Sequence, residues 1–161
     1  MRRKIVVKDV PCYNCTRACG KLSIIKSGPW RGTTLVGPEY ETLGMMGSNC
    51  GISDLGAIAY ANLLCDQLGL DTISTGVVIG FTMECYERGI LTAKELDGLE
   101  PTFGNAEAMM LLIMKIAYRK GIGNLLAEGV KRAAEKIDKG SEQFACHVKG
   151  VELPAWEARG V

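Results

Sequence analysis

Between residues 53 and 137 apolar positions recur at helical spacing, and each run is bracketed by residues that start or stop helices. Ser53, as N-cap, and Asp54 precede Leu55, Ile58, Ala59, Leu63 and Cys65, and Gly69 follows, which predicts a helix that turns Leu55, Ile58 and Leu63 to a core. Asp71 is placed to cap the next run, 72–88, which is apolar on nearly every face and stops at Gly89. A helix of that kind belongs at the centre of a fold. Thr92 with Glu95 reads as a short capped turn. A Met- and Leu-rich helix is expected over 105–120, ended by Gly121, and a more charged one over 124–137.

Upstream the period changes. Ile5-Val6-Val7 and Leu22-Ser23-Ile24-Ile25 are short β-like runs, and Ser27-Gly28-Pro29-Trp30-Arg31-Gly32 is a turn by composition. Pro38 suits the first turn of a short helix reaching about Met46, with Glu39 and Glu41 at its positive end. The stretch 144–161 contains Pro154 and has little helical periodicity, so it reads as a connector. The expected fold is mainly α: a single multihelical domain with a short extended or hairpin N-terminal segment. It divides into an extended segment over 1–37, a helical core over 38–143 and the connector over 144–161.

The 161 residues are enough for one domain with its own core, without a disulfide staple. A formal net charge of +1 leaves no electrostatic footprint for nucleic acid. The longest apolar runs fall well below the ~20 residues of a membrane span. Arg2, Arg3 and Lys4 imitate the start of a secretory signal, but Lys8 and Asp9 interrupt the apolar core that a signal requires. A cytoplasmic location is the expectation, with no nucleic acid and no membrane as partner.

The chemistry concentrates in Pro11-Cys12-Tyr13-Asn14-Cys15-Thr16-Arg17-Ala18-Cys19, where three of the seven cysteines fall at C-x2-C-x3-C spacing. An odd cysteine count without a secretory signal argues for reduced thiols. Thiolates this close in sequence can share a soft metal centre, and the spacing leaves three readings open: an iron-sulfur cluster, a zinc site, or unmetallated thiols. Cys50, Cys65 and Cys85 read as small buried hydrophobes, and Cys146 with His147 is left outside the site.

Five segments taken in order resemble the aldehyde ferredoxin oxidoreductase family. They are Gly37-Pro38-Glu39-Tyr40-Glu41-Thr42, Gly47-Ser48-Asn49-Cys50-Gly51, the run from Cys65 to Gly76, the run from Lys120 to Gly129, and Val148-Lys149-Gly150-Val151-Glu152-Leu153-Pro154-Ala155. The resemblance implies an oxidoreductase that converts aldehydes to carboxylic acids at a tungsten or molybdenum held by two pterins. Electrons would pass through a 4Fe-4S cluster to ferredoxin. Cys12, Cys15 and Cys19 match the first three cluster ligands. Asp66, Gly69, Leu70 and Asp71 match the pterin-binding signature, where carboxylates at a helix-turn-helix corner can accept the N–H donors of a pterin ring. Glu41 matches a glutamate near the metal cavity, suited to moving a proton, with Glu39 as the nearby alternative. Taken without the resemblance, Asp71 is an ordinary helix cap and Glu41 an ordinary glutamate at a helix start.

The resemblance covers the family's middle domain. The family's β-rich first domain, and a third domain carrying the fourth cluster cysteine, are expected to lie outside this chain, whether it is a fragment or the product of a split gene. The isolated chain is therefore expected to be inactive, and the remaining domains are expected partners. The Glu-x-x-His pair that some members use for a metal between subunits is absent, since Tyr60 and Leu63 stand there. Pairing with a second copy is left open. The rival reading is a non-enzymatic zinc- or iron-sulfur-binding helical module of a larger assembly.

Overall fold

A computed structural model describes residues 4–156. Arg2 and Arg3, and positions 157–161 of the connector segment, lie outside them. The described residues form a small antiparallel sheet followed by a helical body, which bears out the mainly α expectation.

Strands β1 (Val6–Val10), β2 (Gly20–Ile24) and β3 (Thr34–Val36) make an antiparallel meander in that order. Val10 pairs with Gly20 at the mouth of the cysteine loop, and Ser23 pairs with Leu35. The cysteine loop thus joins β1 to β2 and precedes the β2–β3 hairpin. Ile5, Ile25 and Leu35 are buried against Ala59 of the helical body, and Trp30 stacks on Tyr60 with centroids 4.7 Å apart. That seam holds the sheet on the helices.

Helix α1 (Tyr40–Thr42) runs on into a π-helical turn (Leu43–Gly47) and a 3-10 turn (Ser48–Cys50). Pro38 therefore precedes the helix instead of opening it, and the coil extends past Met46. The irregular winding has a packing partner in α3 (Thr72–Glu87), the buried central helix expected from its apolar circumference. A Cβ on Gly76 would lie 2.7 Å from the Met45 side chain, and one on Gly80 would collide with the Asn49 amide. Two glycines thus let the turn lie directly on α3, where Asn49 donates to the Gly76 carbonyl at 2.9 Å.

Helix α2 (Leu55–Leu68) is capped by Asp54, whose carboxylate accepts the Gly56 N–H, so the cap falls one residue after Ser53. It ends where Gly69 turns left-handed and the Leu70 N–H reaches the Cys65 carbonyl at 2.9 Å. Asp71 then caps α3 by accepting the Ser74 N–H at 2.7 Å. Helix α4 (Ala106–Ala117) is capped by Asn105 and stops short of Lys120, because Arg119 is left-handed.

The helix expected over 124–137 is two helices, α5 (Gly123–Leu126) and α6 (Val130–Ile137), divided at Gly129 with φ of 87°. The division has a distant cause: the Glu152 carboxylate accepts the Val130 N–H at 2.8 Å and so caps α6 from the tail. The tail forms a hairpin of β4 (His147–Val148) and β5 (Val151–Glu152), with His147 Nδ1 accepting the Gly150 N–H inside its turn. No helix of the described residues is long and apolar enough to cross a membrane.

Candidate functional site

The turn between α2 and α3 brings four of the expected site residues to one place. Asp66 lies in the last turn of α2, Leu70 and Asp71 form the corner, and Glu41 approaches from α1. They line an open concavity of about 270 Å³ together with Glu39, Thr42, Asn62 and Thr72. Gly69 is not among them and borders a separate hollow with Leu70, Asp71, Val78 and Ile116. Its left-handed φ of 70° is what lets α2 turn into α3 within three residues.

Four carboxylates and no cation line this concavity. Partial burial raises the Asp66 carboxyl above its usual range, opposed by a hydrogen bond that Asn62 donates at 2.9 Å. Burial also pushes the nearby Cys65 thiol up to about 12, with the negative charges of Asp66 and Asp71 adding to the shift. An acidic, acceptor-rich corner suits a ligand edge that presents N–H donors, and repels a phosphate.

Asn62 is missing from the sequence-based site. It is buried one turn before Asp66, so the i, i+4 pairing of an amide with a carboxylate is the signal that could have found it. Thr42 and Thr72 share a hydroxyl hydrogen bond of 2.9 Å that ties α1 to the start of α3. Glu41 is half-buried, and its carboxylate accepts the backbone N–H groups of Ala155 at 2.7 Å and Trp156 at 3.0 Å.

Cys12, Cys15 and Cys19 sit elsewhere, exposed on the loop between β1 and β2 and free of disulfides. The base of that loop is fixed by Lys21, which donates to the Cys19 carbonyl at 2.8 Å and pairs with Asp9 at 3.0 Å. Cys15 N–H closes a turn on the Cys12 carbonyl, and Asn14 and Ala18 take positive φ. Among the described residues, no group of three or more Cys, His, Asp and Glu side chains is gathered into a metal site. The donors present are three exposed thiols on one short loop, soft ligands of the kind that an iron-sulfur cluster or a zinc ion takes. Cys50, Cys65 and Cys85 are buried, as expected.

The family model described as aldehyde ferredoxin oxidoreductase, domains 2 and 3, matches residues 1–161. The chain belongs to the aldehyde ferredoxin oxidoreductase family. It is 45% identical over 161 residues to the tungsten-containing aldehyde ferredoxin oxidoreductase of Thermococcus kodakarensis, covering 99% of this chain and 26% of that protein. It is 43% identical over 147 residues to an aliphatic sulfonate oxidoreductase, WOR-like subunit, of Pyrococcus furiosus, covering 89% of this chain and 23% of that one. Among solved structures, the active-site complex BamBC of benzoyl coenzyme A reductase, with 1,5 dienoyl-CoA, superposes with a TM-score of 0.79. That match has 30% identity and covers 95% of this chain and 22% of that chain. The aldehyde ferredoxin oxidoreductase region seen here thus spans about a quarter of the length of its curated relatives.

Proposed function

We propose that this chain supplies one wall of a tungsten- or molybdenum-pterin site and three ligands of a 4Fe-4S cluster in an enzyme that oxidises aldehydes to carboxylic acids and passes electrons to ferredoxin. The observation that carries the reading is the α2–α3 corner, where Glu41, Asp66, Leu70 and Asp71 line one concavity in a chain of this family.

Asp66 and Asp71 would hold the pterin by accepting its ring N–H donors. Asn62 keeps Asp66 turned to the concavity, and Gly69 and Leu70 set the backbone of the corner. Glu41 is the carboxylate suited to take or return a proton during aldehyde oxidation. Cys12, Cys15 and Cys19 would bind the cluster as thiolates. When bound, the metal-pterin centre supplies the two-electron chemistry, and the cluster relays single electrons. The protein's part is to bind, orient and exclude water.

Metal analysis of the 161-residue chain, purified without oxygen, tests this reading. Iron with acid-labile sulfide is expected, lost when Cys12 and Cys15 are both replaced by Ser. Stoichiometric zinc without iron would instead support the zinc form of the rival, a non-enzymatic zinc- or iron-sulfur-binding helical module, and overturn the proposal.

A further inference from the structure

Glu41 makes two contacts that a proton-moving carboxylate does not need. Its Oε2 accepts the Ala155 N–H at 2.7 Å and its Oε1 accepts the Trp156 N–H at 3.0 Å, across 114 and 115 residues of chain. Both N–H groups lie outside any helix or strand, and the Glu41 carboxylate accepts each of them. Charge-assisted bonds of this kind are about twice as strong as neutral ones. A second feature acts on the same place: a Cβ on Gly44, one turn beyond Glu41, would collide with the Ala155 methyl. The bare backbone of the π-helical turn is what admits Ala155, which borders an open hollow of about 520 Å³ with Tyr40, Leu43, Met45 and Ser48.

We propose that Glu41 and Gly44 together form a clamp that seats the backbone of Ala155 and Trp156 against the turn following α1, so that Glu41 positions this wall of the site in addition to the proton transfer proposed for it above. The carboxylate anchors the two N–H groups and the missing Cβ provides the seat. Glu41 lines the concavity at the α2–α3 corner, and Ala155 borders the second hollow beside Tyr40 and Leu43. One carboxylate therefore fixes the relation between the two. The proposal deepens the reading of the site given above and rests on it for its catalytic consequence, but the clamp is measurable without cofactor.

Amide hydrogen exchange, read by NMR on the isotopically labelled 161-residue chain, tests the clamp. In the unaltered chain Ala155 and Trp156 are expected to be protected. Glu41→Ala should lower protection at both by about tenfold or more, with amides of α2 and α3 unchanged. Glu41→Gln keeps one carbonyl acceptor, so one of the two amides should retain its protection. Gly44→Ala leaves the carboxylate intact and should still unseat both. Unprotected amides in the unaltered chain, or unchanged protection in a folded variant, overturn the clamp. So does a loss spread equally over α2 and α3 in both Glu41→Gln and Gly44→Ala. Should Glu41→Ala fail to fold, those two variants decide by the same criteria. A negative result leaves the metal analysis standing, and absence of iron leaves the clamp standing.

Discussion

Cys50 and Cys65 differ from Cys12, Cys15 and Cys19 in the one property that decides thiol chemistry, access to water. Burial pushes the first two up to about 12 and Cys85 to about 11, while the three loop cysteines and Cys146 are exposed. Because the thiolate is the reactive form, iodoacetamide at neutral pH should modify only the four exposed cysteines of the metal-free chain. All seven should react in denaturant, and mass spectrometry reads the difference. The linkage has a definite sign: the folded state holds these buried protons, whereas an unfolded thiol releases them near its ordinary value of 9.0. Stability present below that pH is therefore lost as the pH rises toward 12, visible as a falling urea midpoint. At this scale the sequence was legible wherever a residue acts on its neighbours, as Asp71 does on Ser74. The backbone partners of Glu41 are over a hundred positions away, and no local pattern could name them.

Helix boundaries follow the same division between local and distant causes. Asp54, Asp71 and Asn105 cap helices through N–H groups two or three residues on, so α2, α3 and α4 begin within one residue of where the sequence places them. The split between α5 and α6 escaped because the group that caps α6 belongs to β5. Gly129 also contributes to that contact, since a Cβ there would lie 2.9 Å from the same Glu152 oxygen. Glu152→Ala should then remove the N-terminal cap of an eight-residue helix and cost about 1 kcal/mol, the usual effect of losing a cap. Urea unfolding of the two chains measures it. Equal stabilities would mean that Gly129 alone starts α6. The π-helical turn after α1 is a further feature beyond local reading, because its winding answers to Gly76 and Gly80 on another helix.

For the molecule as a whole, the volume of the concavity sets what the chain can do unaided. Sites for drug-sized ligands enclose about 300–1,000 Å³ and bury most of the ligand surface. The α2–α3 corner offers about 270 Å³ and is open to solvent, less room than such a ligand takes and far less than two pterins with a metal. The cysteine loop is equally open: its three thiols are exposed, and Cys50, Cys65 and Cys85 are locked in the core, where none can reach the loop as a fourth thiolate without unfolding. Under the function proposed above each would be part of a larger site, and the chain spans about a quarter of the length of relatives that carry the activity in their names. The 161-residue chain, purified without oxygen and supplied with an aldehyde and a low-potential dye, should therefore reduce the dye no faster than a protein-free blank. Steady turnover would show that one wall and three thiolates suffice, and would overturn the assignment of this chain as a partial site. The outcome turns on enclosure, which the helical pattern could not reveal: the sequence names the acids and thiols, and only the folded surface shows how much of a ligand they leave uncovered.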